Sequence, residues 1–444
     1  MGSPRLIAAG RVALGLCAAV TFVAGAAAAA AATVPAPAPA PAAPRPGGAL
    51  YKPSYRYPVI EKIEARRDSL RALADSAGAR VDARHAAEAK RRHDEAVTLR
   101  LDWRDIERPA SPEAFPSAFH FPPVPQYDTG TCWAFCSTSF FESEAARLSG
   151  RRVKLSEMWT VYWEYVEKAR RFVRERGHSL LAEGSQDHGT QEVYRLYGAV
   201  PLEAYRGVRD PDGWYDHPPL RDEIAGYLRS VEESGVWNEA TAIASVRLIL
   251  DRHLGPPPET FLFEGRTWTP AVFLTEVLRL DLDDYVHCVS TLREPFYAHV
   301  LLDVSDNWRR RDDYLNLPLD VFYRVIRETV RAGGTISIGG DVSEPGMDGL
   351  EGAAVIPAWD IPAKLIGQDS RELRIVNGTT GDDHGVHLVG FLRLGGRDWF
   401  LVKDSNQSSR LGRFKGYYFY DGDYIRLKML SFMAHQDRLA GLLP

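Results

Sequence analysis

The stretch QYDTGTCWAFC at 126–136 sets two thiols four residues apart behind a Gly-Thr turn. A nucleophilic cysteine needs a stabilised thiolate, and the first turn of a helix supplies one through its free N–H groups and positive dipole end. Gly130 permits a tight turn and Thr131 can cap, so Cys132 is expected in the first turn of a helix and Cys136 one turn inside, as a packing residue. Two cysteines at that spacing make no metal site without a matching second pair, and the usual redox motif has two residues between its thiols, not three. A thiolate also needs a base, and the base an orienting partner. His384 opens an apolar run, a second run ends at Asp404, and their midpoint falls at Leu394 beside Gly395-Gly396. An antiparallel hairpin turning there brings His384 and Asp404 side by side. His387, three positions on, faces the other side of a regular strand and reads as packed or hydrogen-bonded. Gln126 carries an amide that, with a backbone N–H at the helix start, suits a tetrahedral oxyanion, although a glutamine taken alone is an ordinary surface residue.

The elements that must position these groups are helical first and β-rich last, an α+β class. Helices are expected from Cys132 to about Leu148 and from Leu155 to about Phe172, the second strongly aromatic, then over 219–234, 238–253, 270–280 and 318–332. GGTISIGGDV at 333–342 reads as a buried strand, 384–404 as the hairpin, and 413–430 as further strand material. The domains follow as a helical nucleophile domain at 116–215, a mostly helical insertion at 216–332 and a β-rich domain at 333–444.

Ahead of them, residues 1–32 carry Arg5 and Arg11 before an Ala-rich apolar run. This is the pattern of a signal peptide cleaved near 28–34, and it predicts an exported protein with no membrane span after cleavage. Cys17 inside that run follows Leu16, where a lipid-attachment site wants a small residue. A Pro/Ala-rich linker fills 33–50. Residues 51–115 are charged and helical, with one or two surface helices over 57–103, and suit either a permanent arm or a removable pro-segment. Three cysteines then remain, Cys132, Cys136 and Cys288, which is no disulfide framework. A net charge of −5 without basic excess argues against a nucleic-acid partner.

Taken together, these residues resemble the papain-like cysteine peptidases. Gln126, then Cys132-Trp133-Ala134-Phe135, follows the nucleophile block, and DHGVHLVGF at 383–391 follows the histidine strand. WFLVKDSNQ occupies the place of the Asn-Ser-Trp-Gly block. The segment at 314–344 and LSEMW after the nucleophile helix resemble the bleomycin hydrolase branch, of aminopeptidase type, and the likeness covers roughly 115–435. The resemblance implies a papain-like fold and a β half-barrel carrying the base. It also implies Cys132 as nucleophile, His384 as base and acid, Asp404 as orienting residue, Gln126 as oxyanion donor, peptide substrates, and no cofactor or metal. It further implies a homo-oligomer, a hexamer, with the C-terminal tail MAHQDRLAGLLP in the cleft. Three positions depart from the pattern: Asp404 stands for Asn, Asn406 for a Trp, and Thr129 for the cysteine of a nearby disulfide. The first two motivate an alternative, a catalytically silent papain-fold protein that binds peptides. A transglutaminase-like acyl transferase shares the residue order but not the Gln126 spacing or the 314–344 segment.

Overall fold

Helix α2 (Cys132–Ser149) begins where the Gly-Thr turn leads the sequence to expect, and stops at Gly150, whose φ of 74° is the left-handed cap that glycine adopts without strain. In this computed structural model, which describes residues 52–179 and 181–443, α2 is buried along most of its length. Chain contacts divide the protein into Met1–Thr98 and Leu99–Pro444. The first unit contributes α1 (Pro58–Asp94), one continuous helix of 37 residues. Proline at its start and Arg91, Arg92 and His93 in its last turn suit the helix geometry and dipole. It buries no residue, and Ile60, Ile63, Leu70 and Leu73 are exposed. The expected signal peptide, Cys17 and the Pro/Ala linker lie outside the described residues. Among the described residues no helix is long and apolar enough to cross a membrane.

In the second unit α2 packs with α3 (Glu157–Arg174), α4 (Asp187–Tyr197), α5 (Pro218–Ser234) and α6 (Glu239–Leu254). Ser156 caps α3 by accepting the Trp159 N–H, and the aromatic face beyond it, Trp159, Tyr162 and Tyr165, is buried with Phe140, Phe141 and Tyr194. A small hairpin, β1 (Phe261–Phe263) and β2 (Arg266–Trp268), and the short α7 (Pro270–Val272) with a π-helical continuation follow.

The second core forms on a ten-stranded sheet. Its strands are β3 (Tyr285–Val289), β4 (His299–Val300), β5 (Tyr314–Asn316), β6 (Ile336–Gly340), β7 (Met347–Asp348), β8 (Ala353–Ala354), β9 (His384–Leu394), β10 (Arg397–Lys403), β11 (Tyr417–Asp421) and β12 (Met429–His435). They lie in the order β4-β5-β3-β12-β6-β9-β10-β11-β8-β7. Helix α8 (Leu319–Arg331) sets Phe322, Val325 and Ile326 against Ile336, Ile338 and Val386, with α9 (Gln368–Val376) and α10 (Gly422–Lys428) beside it.

Two features differ from expectation. Strands β3, β4 and β5 arise inside the stretch read as a mostly helical insertion, because short runs such as YVHCV give too little periodicity to show themselves. The stretch read as strand material at 413–430 contains helix α10, and the strand that follows, β12, is buried at every position, so it lacks the alternation that marks a half-exposed strand.

Candidate active site

The hairpin turns at Gly395-Gly396, with φ of 58° and 76°, the left-handed pair that a two-residue turn requires. Leu394 faces Arg397, so the turn centre sits after the midpoint expected from the sequence, and His387 faces Lys403. An irregularity between Leu401 and Val402 shifts the register by one residue. Asp404 therefore reaches His384 diagonally, and the contact is made: His384 Nε2 lies 2.7 Å from Asp404 Oδ1. That bond occupies one ring nitrogen and leaves Nδ1 for another partner. Burial opposes the imidazolium, but the Asp404 carboxylate and the Cys132 sulfur outweigh it and hold the His384 pKa well above the ordinary histidine range.

Cys132 is the first residue of α2, half-buried, and lines a small cleft together with His384, Trp133, Gln186, Asp306 and Asp382. Gln126 does not line this cavity. It stands behind the turn, its Oε1 accepting the Ser405 hydroxyl at 2.7 Å and its Nε2 donating to the Thr129 carbonyl at 2.7 Å. One amide hydrogen is thereby used and a second remains. Thr129, which stands where the resemblance implies a cysteine, closes the turn: its hydroxyl donates to the Gln126 carbonyl at 2.9 Å.

The other candidate groups fall away from the cleft. Cys136 is buried, 2.9 Å from Ser337 Oγ and 3.2 Å from Asp187 Oδ1, and burial pushes its thiol well above the usual range. His387 is fully buried with Nδ1 2.8 Å from Ser139 Oγ, and burial holds its pKa well below 6.5. Among the described residues, the tail through Leu443 does not line the cleft. Leu439 is buried in the sheet core, Arg324 of α8 donates to the Leu442 carbonyl at 2.8 Å, and Arg438 lies against Gly334. Gly334 precedes β6, whose Gly339, near the other end, lines the cleft; five residue steps of extended chain separate them, about 17 Å.

Sequence reasoning missed two groups. The first is a clamp on the nucleophile turn. Glu183 Oε2 accepts the Gly130 N–H at 2.7 Å, its Oε1 lies 2.5 Å from His217 Nδ1, and its carbonyl accepts the Trp133 indole N–H at 3.1 Å. Burial raises the Glu183 pKa, but the His217 and Gly130 bonds prevail and hold it low. The second is a set of carboxylates in the cleft. Asp382 accepts from the Gln186 amide, and burial together with the neighbouring Asp306 pushes its pKa up to about 7. Gly184 leaves room for Asp306, since a Cβ there would lie 2.1 Å from its Oδ2. Among the described residues the cavity is lined by no Lys or Arg. The paired acids Asp382-Asp383 just ahead of His384 were a visible signal; Glu183 had none.

A helix-borne cysteine facing a strand-borne histidine across the join of a helical core and a sheet core is the arrangement of the papain-like cysteine peptidases, and this chain has that fold. Its sequence is similar to aminopeptidases C, in keeping with the branch resemblance. It is 25% identical over 259 residues to that of Listeria innocua, covering 49% of this chain and 58% of that protein. It is 23% identical over 286 residues to that of Streptococcus thermophilus, covering 54% and 63%. The chain thus spans less than two thirds of the length of these curated relatives. Among solved structures, PepW of Lactobacillus rhamnosis HN001 superposes with a TM-score of 0.60 at 18% identity, over 74% of this chain and 83% of that one. No family model matches the chain.

Proposed function

We propose that this protein is a cysteine aminopeptidase that hydrolyses peptides at a free amino terminus. The observation that carries the reading is the meeting, in one cleft, of Cys132 at a helix start and His384 held by Asp404. The Cys132 thiolate attacks the first peptide carbonyl, and the oxyanion is met by the helix-start N–H and the remaining amide hydrogen of Gln126. His384 gives its proton to the leaving amine, then takes one from water to release the acyl-enzyme. Neither step calls for a cofactor. The carboxylates of Asp306 and Asp382, with no Lys or Arg among the described lining residues, favour a substrate that brings an ammonium group into the cleft. This supports exopeptidase action, and it does so without the tail.

The test compares free-amino and N-blocked aminoacyl fluorogenic substrates with the unaltered protein and Cys132→Ala. Turnover confined to free-amino substrates and lost in Cys132→Ala is expected. Equal turnover of both substrates would make it an endopeptidase. Peptide binding without turnover, and no alkylation of Cys132 near neutral pH, would leave a silent peptide-binding protein.

A further inference from the structure

Two charged side chains at the candidate site, one of them the orienting residue Asp404, have buried atoms without hydrogen-bond partners among the described residues. Asp404 is 2% exposed; its Oδ1 takes the His384 bond and accepts the Asn406 N–H at 2.8 Å, while Oδ2 is unpartnered. Arg410, six residues on and half-buried, has Nε and Nη2 buried and likewise unpartnered. The intervening turn is fixed on both sides. Asn406 Oδ1 accepts the Ser408 N–H at 3.0 Å, Ser409 O accepts the Gly416 N–H at 2.8 Å, and Gly416 O accepts the Asp404 N–H at 2.9 Å. Gly416 has φ +106°, and a Cβ there would lie 3.2 Å from Arg410 Cζ. The guanidinium therefore rests against the residue that holds the Asp404 backbone. Burial lowers its pKa from the ordinary arginine value while leaving it charged, and the Asp404 carboxylate is the foremost group opposing that effect.

A carboxylate beside a thiolate–imidazolium pair leaves the site one negative charge in excess, which disfavours the thiolate and retains the imidazolium proton. The other charged groups near Asp404 do not correct this. Lys403 of β10 is turned to Ser139 Oγ on α2, 2.7 Å away, and toward Glu142. Asp383 adds negative charge beside His384, and Tyr127, Tyr417, Tyr418 and Tyr420 present phenols. We propose that Arg410 is the counter-charge of Asp404, a positioning residue that returns the site to the charge balance it would have with a neutral orienting side chain. The proposal rests on the cysteine-peptidase reading above.

The test is a double-mutant cycle of Arg410→Gln and Asp404→Asn, with Arg410→Lys as the charge-retaining control. It is read by the pH dependence of Cys132 alkylation with iodoacetamide and by kcat/KM on a free-amino substrate. Arg410→Gln moves the acid limb of alkylation to higher pH, and Arg410→Lys keeps it in place. Each single change lowers kcat/KM, and the double variant keeps about tenfold more activity than the two losses multiplied would leave. Losses that simply multiply, or an unmoved acid limb in Arg410→Gln, overturn the proposal. Should Arg410→Gln fail to fold, recovery of folding in the double variant supports it and failure of both overturns it. An unaltered protein that is not alkylated near neutral pH sinks the peptidase reading instead, so the two failures are distinct.

Discussion

Replacing Glu183 with alanine is expected to loosen the nucleophile turn. The carboxylate is 8% exposed and His217 1% exposed, so water does not readily replace the lost bonds. Two bonds disappear, to the Gly130 N–H at 2.7 Å and to His217 Nδ1 at 2.5 Å. A hydrogen bond to a charged group contributes about 1.5–3 kcal/mol, and removing one member of a buried pair costs about 3–5 kcal/mol. A loss of about 4 kcal/mol is a large part of the 5–15 kcal/mol that holds a typical protein folded. At about 3 kcal/mol per molar urea, it lowers the unfolding midpoint by roughly 1 M. Catalysis falls further than stability requires, because Gly130 lies two residues before Cys132. A displacement of about 1 Å at a reacting group costs on the order of a hundredfold, and that loss falls on kcat. Glu183→Gln is far milder: its amide oxygen accepts the Gly130 N–H, and its NH2 donates to a His217 ring that has moved its proton to the other nitrogen. The assays are urea unfolding by tryptophan fluorescence, and kcat with KM at a temperature where the variant is fully folded. An alanine variant with an unchanged midpoint and unchanged kcat refutes the clamp. So does a glutamine variant as damaged as the alanine one, since the geometry is then not what matters.

Gln126→Ala should lower kcat by about 10²–10³ with little change in KM, because the oxyanion forms only after attack; equal loss in both parameters would count against that role. Asp404→Asn removes the carboxylate that raises the His384 pKa, so the alkaline limb of kcat/KM, where the imidazolium is lost, should move to lower pH. Asp382→Asn should narrow the preference for free-amino over N-blocked substrates by about tenfold, the scale of one ion pair in a sheltered cleft. With its pKa raised to about 7, Asp382 becomes neutral as pH falls through that value, so KM for free-amino substrates should rise between pH 8 and pH 6 in the unaltered protein and stay flat in Asp382→Asn.

What could be read in the sequence was what is local. Gly395-Gly396 between two apolar runs announced the hairpin, and the hairpin brought His384 to Asp404. The Gly-Thr turn announced α2 and placed Cys132 at its start. The register of the hairpin was not legible, because the irregularity at Leu401 and Val402 follows from packing across the sheet, not from the two runs themselves. The clamp was not legible either. Glu183 joins residues on both sides of it in the chain, 53 positions back to Gly130 and 34 forward to His217, and no periodicity marks such a meeting. The tail, read through family resemblance, is held at the opposite end of β6 by Leu439 and Arg324, contacts that depend on the shape of a core no pattern describes.

The Glu183 clamp also bears on the surroundings in which the protein can work. Cys132, Cys136 and Cys288 are all free thiols, and the turn that presents Cys132 is tied to its neighbouring loop by a carboxylate, without a sulfur bridge. Reductants strong enough to keep a nucleophilic thiol in service therefore leave the frame around it untouched. Among the described residues no disulfide ties this frame, and of the three described thiols Cys132 alone is not buried.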